Sequence, residues 1–286
     1  MEYKYQPKTK EELQKLCDDK TVYLGDIDTS LITDMSGLFA ESERKDFSGI
    51  ETWNVSNVTV MRDMFAGAFN FNADISRWDV SKVEDMSCMF RFAEKFNQPI
   101  GNWDVSNVTD MFRMFNGAKS FNQTIGSWDT SKVKDMSCMF ALAKNFNQPI
   151  GNWDVSKVTD MSYMFFNAKK FNQPIGKWNV FNVTDMSGMF EFSSNFNQDI
   201  SGWELSQPAS EKYMFSPDCP IKEKFKPSFT RKEIIIQRNI DGLAPAIIRL
   251  TPDDDYALYN SLLTKFTALD KARSEENISA NVQFRK

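Results

Sequence analysis

Histidine is absent from this sequence of 286 residues. Histidine is the usual general base in enzymes and the commonest metal ligand in proteins. Its absence excludes hydrolases that work through Ser-His-Asp or Cys-His arrangements. The remaining residues show no nucleophile–base pair, metal-ligand cluster or phosphate-binding loop. The sequence therefore predicts a protein that is not an enzyme and that uses no cofactor.

Cysteine is scarce, with four residues in the chain: Cys17, Cys88, Cys138 and Cys219. Cys88 and Cys138 occupy the same position in repeat units that lie two apart. If successive units stack about 5 Å apart, as neighbouring strands do, these two thiols are separated by about 10 Å. A disulfide cannot span that distance. Since no C-x-x-C pair is present either, the sequence predicts four reduced thiols, with no disulfide and no metal site.

A net positive charge and long apolar runs are also lacking. The net charge is −5, which gives no indication of a nucleic-acid partner. No apolar stretch approaches the roughly 20 residues of a membrane-spanning helix. The N-terminal residues 1–13 are polar and charged, unlike a secretory signal. We therefore expect a cytoplasmic protein, with a cell-surface location as the alternative if a leader has been removed.

Tryptophan, by contrast, recurs at a fixed interval of 25 residues. The seven tryptophans are Trp53, Trp78, Trp103, Trp128, Trp153, Trp178 and Trp203. Each belongs to a longer unit, seen clearly in F-N-Q-P-I-G-N-W-D-V-S-N-V-T-D-M-F-R-M-F-N-G-A-K at residues 96–119. A fixed period of this length indicates a repeat architecture in which stacked units share one core. The pattern predicts about eight units over residues 21–215.

Each unit divides into two halves with different spacing. In the first half, Trp103 and Val105 alternate with Asp104 and Ser106, which predicts a short parallel strand with the apolar residues inward. In the second half, apolar residues follow at steps of three, three, one, three and three, which favours a helical segment. These residues are Val108, Met111, Met114, Phe115, Ala118 and Phe121. The predicted fold is an α/β repeat solenoid, similar to a leucine-rich repeat.

Residues outside the repeats predict caps at both ends. Residues 1–20 suggest an amphipathic helix with Thr9 as its N-cap and Leu13, Leu16 and Cys17 on one face. Residues 216–286 predict two strands, at residues 234–236 and 246–250, followed by a helix that Thr251 caps. This C-terminal segment is either a lid on the repeats or a separate module for partner binding or oligomerisation.

The W-D-V-S-x-V-x-D-M-S-x-M-F-x-x-A-x-x-F-N-Q unit resembles the repeat of BspA-like surface proteins, also called DUF285 or the mycoplasma-type lipoprotein repeat. The resemblance covers roughly residues 21–215. It implies a right-handed, leucine-rich-repeat-like solenoid that serves in adhesion or protein binding.

Candidate binding residues lie beside each tryptophan, because packing does not dictate the outward positions of the predicted strand. The residue after each tryptophan gives an acidic strip, at Asp79, Asp104, Asp129 and Asp154, with Asn54 and Asn179 at equivalent positions. Phe181 interrupts a column of serines, and Arg77 and Lys177 flank the strip at opposite ends. The strip either binds a basic segment or cleft of a protein partner, or a cation, or it is held structurally by nearby serine and backbone donors. Phe181 is either an anchor for that partner or packs on the C-terminal segment.

We therefore expect non-catalytic protein binding on the strand face. Two alternatives remain open from the sequence. One is an inhibitor or immunity-type protein that forms a tight complex with an enzyme or toxin. The other is a structural subunit of a larger assembly, joined through the C-terminal segment.

Overall fold

The computed structural model of the chain describes residues 3–206 and 209–227. The chain divides into two units, Met1–Arg231 and Lys232–Lys286, and all the described residues belong to the first. The strands predicted at residues 234–236 and 246–250 lie outside the described residues. The same applies to the helix predicted to begin at Thr251.

A single α-helix, α1, spans Lys10–Asp18. Thr9 caps it as predicted, because its side chain accepts a hydrogen bond from the backbone N–H of Glu12. Leu13 and Cys17 are buried, and Leu16 packs against the core. Three short 3₁₀ helices complete the helical elements of the described residues, at Leu24–Asp26, Ile50–Thr52 and Glu223–Phe225.

Successive repeat units are joined by isolated parallel bridges rather than by continuous strands. One column of bridges runs through Asp34, Val60, Asp85, Asp110, Asp135, Asp160, Asp185 and Ser210. Two further bridges join Tyr5 to Ile27 and Phe190 to Phe215. The spacing in the column is 25 residues at every step after the first, which is 26. The sequence period is therefore the register in which the units stack.

The second half of each unit differs from the predicted helical segment. In the unit of Trp103, the N–H groups of Met111, Arg113 and Phe115 donate to carbonyls of the next unit at 2.9–3.1 Å. The intervening N–H groups donate three residues back within the unit: Met114 to Met111, Asn116 to Arg113, and Ala118 to Phe115. A run of turns locked to the neighbouring unit thus replaces the helix. Because each turn closes over three residues, the apolar side chains recur at the same steps of three that favoured a helix in the sequence.

Positive φ angles show why this segment cannot be helical. Arg113 has φ 54° and Gly117 has φ 69°, both in the left-handed region that an α-helix excludes. The same two positions recur in other units. They are occupied by Gly37, Asp63, Cys88, Cys138, Tyr163, Gly188 and Tyr213 in one column, and by Glu41, Gly67, Phe92, Leu142, Asn167 and Phe192 in the other. Most of these residues are not glycine, so the composition gives little sign of the conformation.

The predicted strand at residues 103–106 is also absent. The Trp103 N–H donates locally to the carbonyl of Ile100, and residues 103–106 form no bridge. The indole makes the bond between units instead, since Trp103 Nε1 donates to the carbonyl of Ile75 in the preceding unit at 3.2 Å. All seven tryptophans make the equivalent bond. Tryptophan is needed here because phenylalanine has no N–H to donate.

The core consists of columns of identical side chains. Trp53 and Trp78 stack with ring centroids 6.5 Å apart, and Phe90 and Phe115 stack at 5.6 Å. On another side of the unit, the Asn97 side chain accepts the N–H of Asn122 at 2.9 Å. The same bond links the asparagines at residues 72, 97, 122, 147, 172 and 197 into a ladder. This asparagine column therefore joins successive units through side-chain hydrogen bonds.

Candidate functional site

The residues after the tryptophans form one exposed surface, which we call the aspartate face. It comprises Asp79, Asp104, Asp129 and Asp154, with Asn54 and Asn179 at equivalent positions. All six are exposed, while the tryptophan and the valine or threonine on either side of each are buried. Inward and outward positions therefore alternate as predicted, although the backbone is not a strand.

A local hydrogen bond fixes each carboxylate of the aspartate face. The Asp79 carboxylate accepts the Ser81 N–H at 3.1 Å and the Ser81 hydroxyl at 2.6 Å. Asp104, Asp129 and Asp154 likewise accept the N–H of the serine two residues on, at 2.9–3.0 Å. These serine bonds hold the pKa of Asp79, Asp129 and Asp154 below the usual value. The three carboxylates are therefore ionised at neutral pH and held in one orientation.

Lysines lie beside the aspartates, so the aspartate face is not uniformly acidic. After the serine bonds, the charges of Lys132 and Lys157 also help to lower the pKa of Asp129. Lys132 Nζ donates to the Asn107 side chain at 2.7 Å, and Lys82 Nζ donates to Asn57 in the same way. A column of carboxylates therefore runs next to a column of amide and ammonium groups.

The other predicted binding residues are also exposed. Phe181 is 49% exposed, although its N–H donates to Asn179 and its carbonyl accepts the Ser206 N–H. Its backbone is thus fixed while its ring remains open to solvent. Arg77 and Lys177, each next to a tryptophan, are exposed.

A second group of aspartates was not singled out from the sequence. These are the bridge residues Asp85, Asp110, Asp135, Asp160 and Asp185, which are half-buried. Burial, helped by the charges of the neighbouring Asp185 and Asp135, raises the pKa of Asp160 to about 7 in spite of the hydrogen bonds from Ser162, which lower it. Burial also raises the pKa of Asp110 and Asp135. Asp110, Asp135 and Asp160 are therefore harder to ionise than an exposed aspartate.

The outward residues of the turn segments form another surface, which we call the ladder face because the backbone bonds between units lie there. Its residue types change from unit to unit. Half-buried or exposed members include Arg62, Arg91, Phe112, Tyr163, Phe166, Phe192 and Tyr213. Arg62 Nη2 lies 2.7 Å from Asp85 Oδ2, and Arg91 lies 3.8 Å from Glu41. A signal for this face was present in the sequence, since the residue type at these positions changes between repeats while the tryptophan, methionine and phenylalanine columns stay constant.

Comparison with protein families identifies this repeat. Residues 11–127 and 113–226 match the family described as "Mycoplasma protein of unknown function, DUF285". The chain belongs to this family. The predicted resemblance to DUF285 is therefore confirmed over the whole of residues 21–215. Searches of curated proteins and of solved structures returned no match.

Residues 3–206 and 209–227 contain neither a membrane-spanning helix nor a cluster of metal-ligating side chains. No helix there is long and apolar enough to cross a bilayer. No group of three or more cysteine, aspartate or glutamate side chains in these residues is arranged to hold a metal ion. The four cysteines are free, and burial raises the pKa of the Cys17 and Cys88 thiols to about 12.

Proposed function

We propose that this chain is a solenoid that binds a protein partner, without catalysis, through the aspartate face. The stacking of units in a constant register supports the solenoid, because each unit bonds mainly to its neighbours. The observation that carries the binding role is the row of exposed carboxylates with fixed orientation, three of which have a lowered pKa.

The partner presents positive groups to the aspartates and acidic or amide groups to the lysine column beside them. Alternating charge of this kind selects a partner and its register more than it adds affinity. Phe181, with half of its surface exposed, supplies an apolar contact at one end of the face.

The test removes charge without removing the turn. In the double variant Asp104→Asn/Asp129→Asn, the amide oxygen still accepts the serine N–H, as Asn54 does from Ser56 at 3.1 Å. A matched control is Asp74→Asn/Asp199→Asn, because these exposed aspartates accept Ser76 and Ser201 in the same way but lie in another column. Wild type and both variants are used to capture partners from cells of the source organism, with quantification by mass spectrometry. Each captured protein is then purified for a direct measurement of Kd.

We expect the Asp104/Asp129 variant to lose specific partners and to weaken the measured binding about tenfold, with a smaller salt dependence. The Asp74/Asp199 control should bind as wild type does. Equal binding by all three proteins would refute the assignment of this face.

A further inference from the structure

A cluster of aromatic rings lies on the ladder face, outside the core of the array. Phe166 and Phe192 come from adjacent units, and their ring centroids lie 5.8 Å apart in an edge-to-face arrangement. A second edge-to-face pair, at 5.9 Å, joins Phe166 to Tyr163. All three side chains are half-buried. Phe166 and Phe192 neither belong to the hydrophobic core nor pack against it, so the filling of the core does not explain these rings.

Tyr213, which is 49% exposed, extends the cluster to a third unit. Tyr163, Gly188 and Tyr213 occupy the same position in consecutive units. A Cβ atom added at Gly188 would lie 2.3 Å from the Tyr163 ring, so this ring covers the glycine between the two tyrosines. The Gly188 N–H donates to the Lys212 carbonyl at 2.9 Å, which places the backbone before Tyr213 beside the glycine. These rings form one surface, which we call the aromatic patch and which consists of Tyr163, Phe166, Phe192 and Tyr213.

The aromatic patch is confined to one part of the ladder face. At the equivalent positions of the units before residue 163, Phe92 is the one aromatic residue, and it is buried. The backbone bonds between units are the same throughout, so stacking does not require rings at these positions. Phenylalanine and tyrosine are enriched where proteins bind each other, and a local patch of exposed rings marks such a place.

Two lysines lie at the edge of the aromatic patch. The Ala168 N–H closes a turn that contains Phe166, and the next turn along the chain contains Lys169 and Lys170. Both lysines are exposed, and neither forms an ion pair or a side-chain hydrogen bond within residues 3–206 and 209–227. No other repeat unit has lysine at both of these positions. The two ammonium groups are therefore available to a partner.

The exposed charges around the aromatic patch are positive. Besides Lys169 and Lys170, Lys212 is exposed, and its Nζ atom lies 5.1 Å from the centroid of the Tyr213 ring. The acidic residues in the turn segments of these units are half-buried or buried, and they are Asp160, Asp185, Glu191 and Glu211. Charge complementarity therefore selects an acidic partner.

An acidic protein segment fits this surface better than a lipid surface or a nucleic acid does. Three of the four rings are half-buried and pack on one another, so they do not project as the anchors of an interfacial membrane protein do. A nucleic acid binds through many phosphate contacts, whereas this chain carries a net charge of −5. A short peptide segment needs only the few lysines that are present.

We propose that the aromatic patch, together with Lys169 and Lys170, binds a segment of a protein partner in which apolar side chains lie next to carboxylates. The rings contact the apolar side chains, and the lysines pair with the carboxylates. The proposal rests on the proposed role in protein binding but uses a different surface from the aspartate face.

The experiment uses the full chain and three fluorescein-labelled peptides, with binding followed by fluorescence anisotropy. The first peptide, Glu-Glu-Leu-Phe-Glu-Glu, is both acidic and apolar. In the second, glutamine replaces every glutamate, and in the third, serine replaces leucine and phenylalanine. We expect the first peptide to bind, with an affinity that falls as salt is added. The second and third should each bind at least about tenfold more weakly.

Matched variants locate the binding surface. Lys169→Gln/Lys170→Gln should weaken binding of the first peptide at least about fivefold, because it removes both ammonium groups from the edge of the patch. Lys8→Gln/Lys45→Gln removes the same charge at exposed lysines elsewhere and should bind as wild type does. Both lysine variants should unfold at the wild-type temperature, since the replaced side chains are exposed. Phe166→Ala/Phe192→Ala should weaken binding about tenfold.

The proposal is overturned if the first peptide does not bind, if the glutamine peptide binds equally well, or if Lys169→Gln/Lys170→Gln binds as wild type does. Vesicles of phosphatidylcholine and phosphatidylserine are the further probe. Binding to these vesicles without binding to the first peptide would also overturn the proposal, in favour of a lipid surface. Each of these results leaves the aspartate face open, because Asp104→Asn/Asp129→Asn tests that face separately.

Discussion

Four glycines allow the stacking of the repeat units to be tested by substitution with alanine. They separate two costs of adding a methyl group: the strain of a positive φ angle, and the steric conflict with a neighbouring unit. Gly202 has open space around it and no positive φ, while Gly37 has open space but φ +69°. At Gly151, φ is ordinary, but an added Cβ would lie 2.3 Å from the carbonyl oxygen of Pro174 in the next unit. Gly49 combines φ +93° with a contact of 2.1 Å to the backbone nitrogen of Gly25. Replacing each by alanine gives a complete two-by-two comparison.

The magnitudes follow from the two costs. Alanine at Gly202 should stabilise the chain by about 0.4–1 kcal/mol, because it restricts only the unfolded state. At Gly37 the same gain is opposed by roughly 1–2 kcal/mol for the left-handed conformation, so we expect a small net loss. At Gly151 the steric conflict with the carbonyl should cost about 1–3 kcal/mol. Gly49→Ala carries both costs and should be the least stable variant.

Urea denaturation followed by tryptophan fluorescence provides the assay, since all seven tryptophans are buried in the array. The expected order of stability runs from Gly202→Ala, through wild type, Gly37→Ala and Gly151→Ala, to Gly49→Ala. Because repeat arrays can depart from two-state unfolding, the comparison uses variants whose m values equal that of wild type. If Gly151→Ala is as stable as Gly202→Ala, the close approach of residues 151 and 174, and with it this stacking register, is wrong.

Two further predictions concern buried polar groups. The raised pKa values of Asp160 and Glu191, both about 7, mean that their contribution to stability is complete below about pH 4 and is lost as the pH rises through 7. The midpoint of thermal unfolding should thus be higher at pH 5 than at pH 8. Asp160→Asn should reduce that difference while exposed Asp154→Asn does not, and an unchanged pH profile in Asp160→Asn would contradict the assignment. Trp103→Phe should lower the free energy of unfolding by about 1–3 kcal/mol, because the buried carbonyl of Ile75 loses its donor; a change under about 0.5 kcal/mol in urea denaturation would count against that role.

The sequence was sufficient to predict the elements that repeat. The 25-residue period became the stacking register, Thr9 was placed correctly as a helix cap, and the buried and exposed positions around Trp103 were assigned correctly. These predictions succeeded because each depends on one residue type in a fixed place. The same side chain in every unit satisfies the same bond to its neighbour.

The backbone conformation could not be predicted in the same way. The spacing of Met111, Met114 and Phe115 fits both a helix and a run of turns, and only the bonds to the next unit distinguish them. The positive φ angles at Cys88 and Cys138 carry no signal in the residue type. Glu191 was missed because the residue type already varies at the equivalent positions of other units. One glutamate among them stands out only when its burial and its neighbours are known.

On both the aspartate face and the ladder face, the features that stacking requires can be separated from those that it leaves free. On the aspartate face, the turn needs only a side-chain oxygen, and Asn54 and Asn179 supply it as well as aspartate does. The negative charge in the four units between them is therefore not required by the turn. On the ladder face, the backbone makes the bonds between units, so the side chains are free to differ. Stacking does not determine the charge on the aspartate face or the residue types on the ladder face, and these are the features that the proposed partner would recognise.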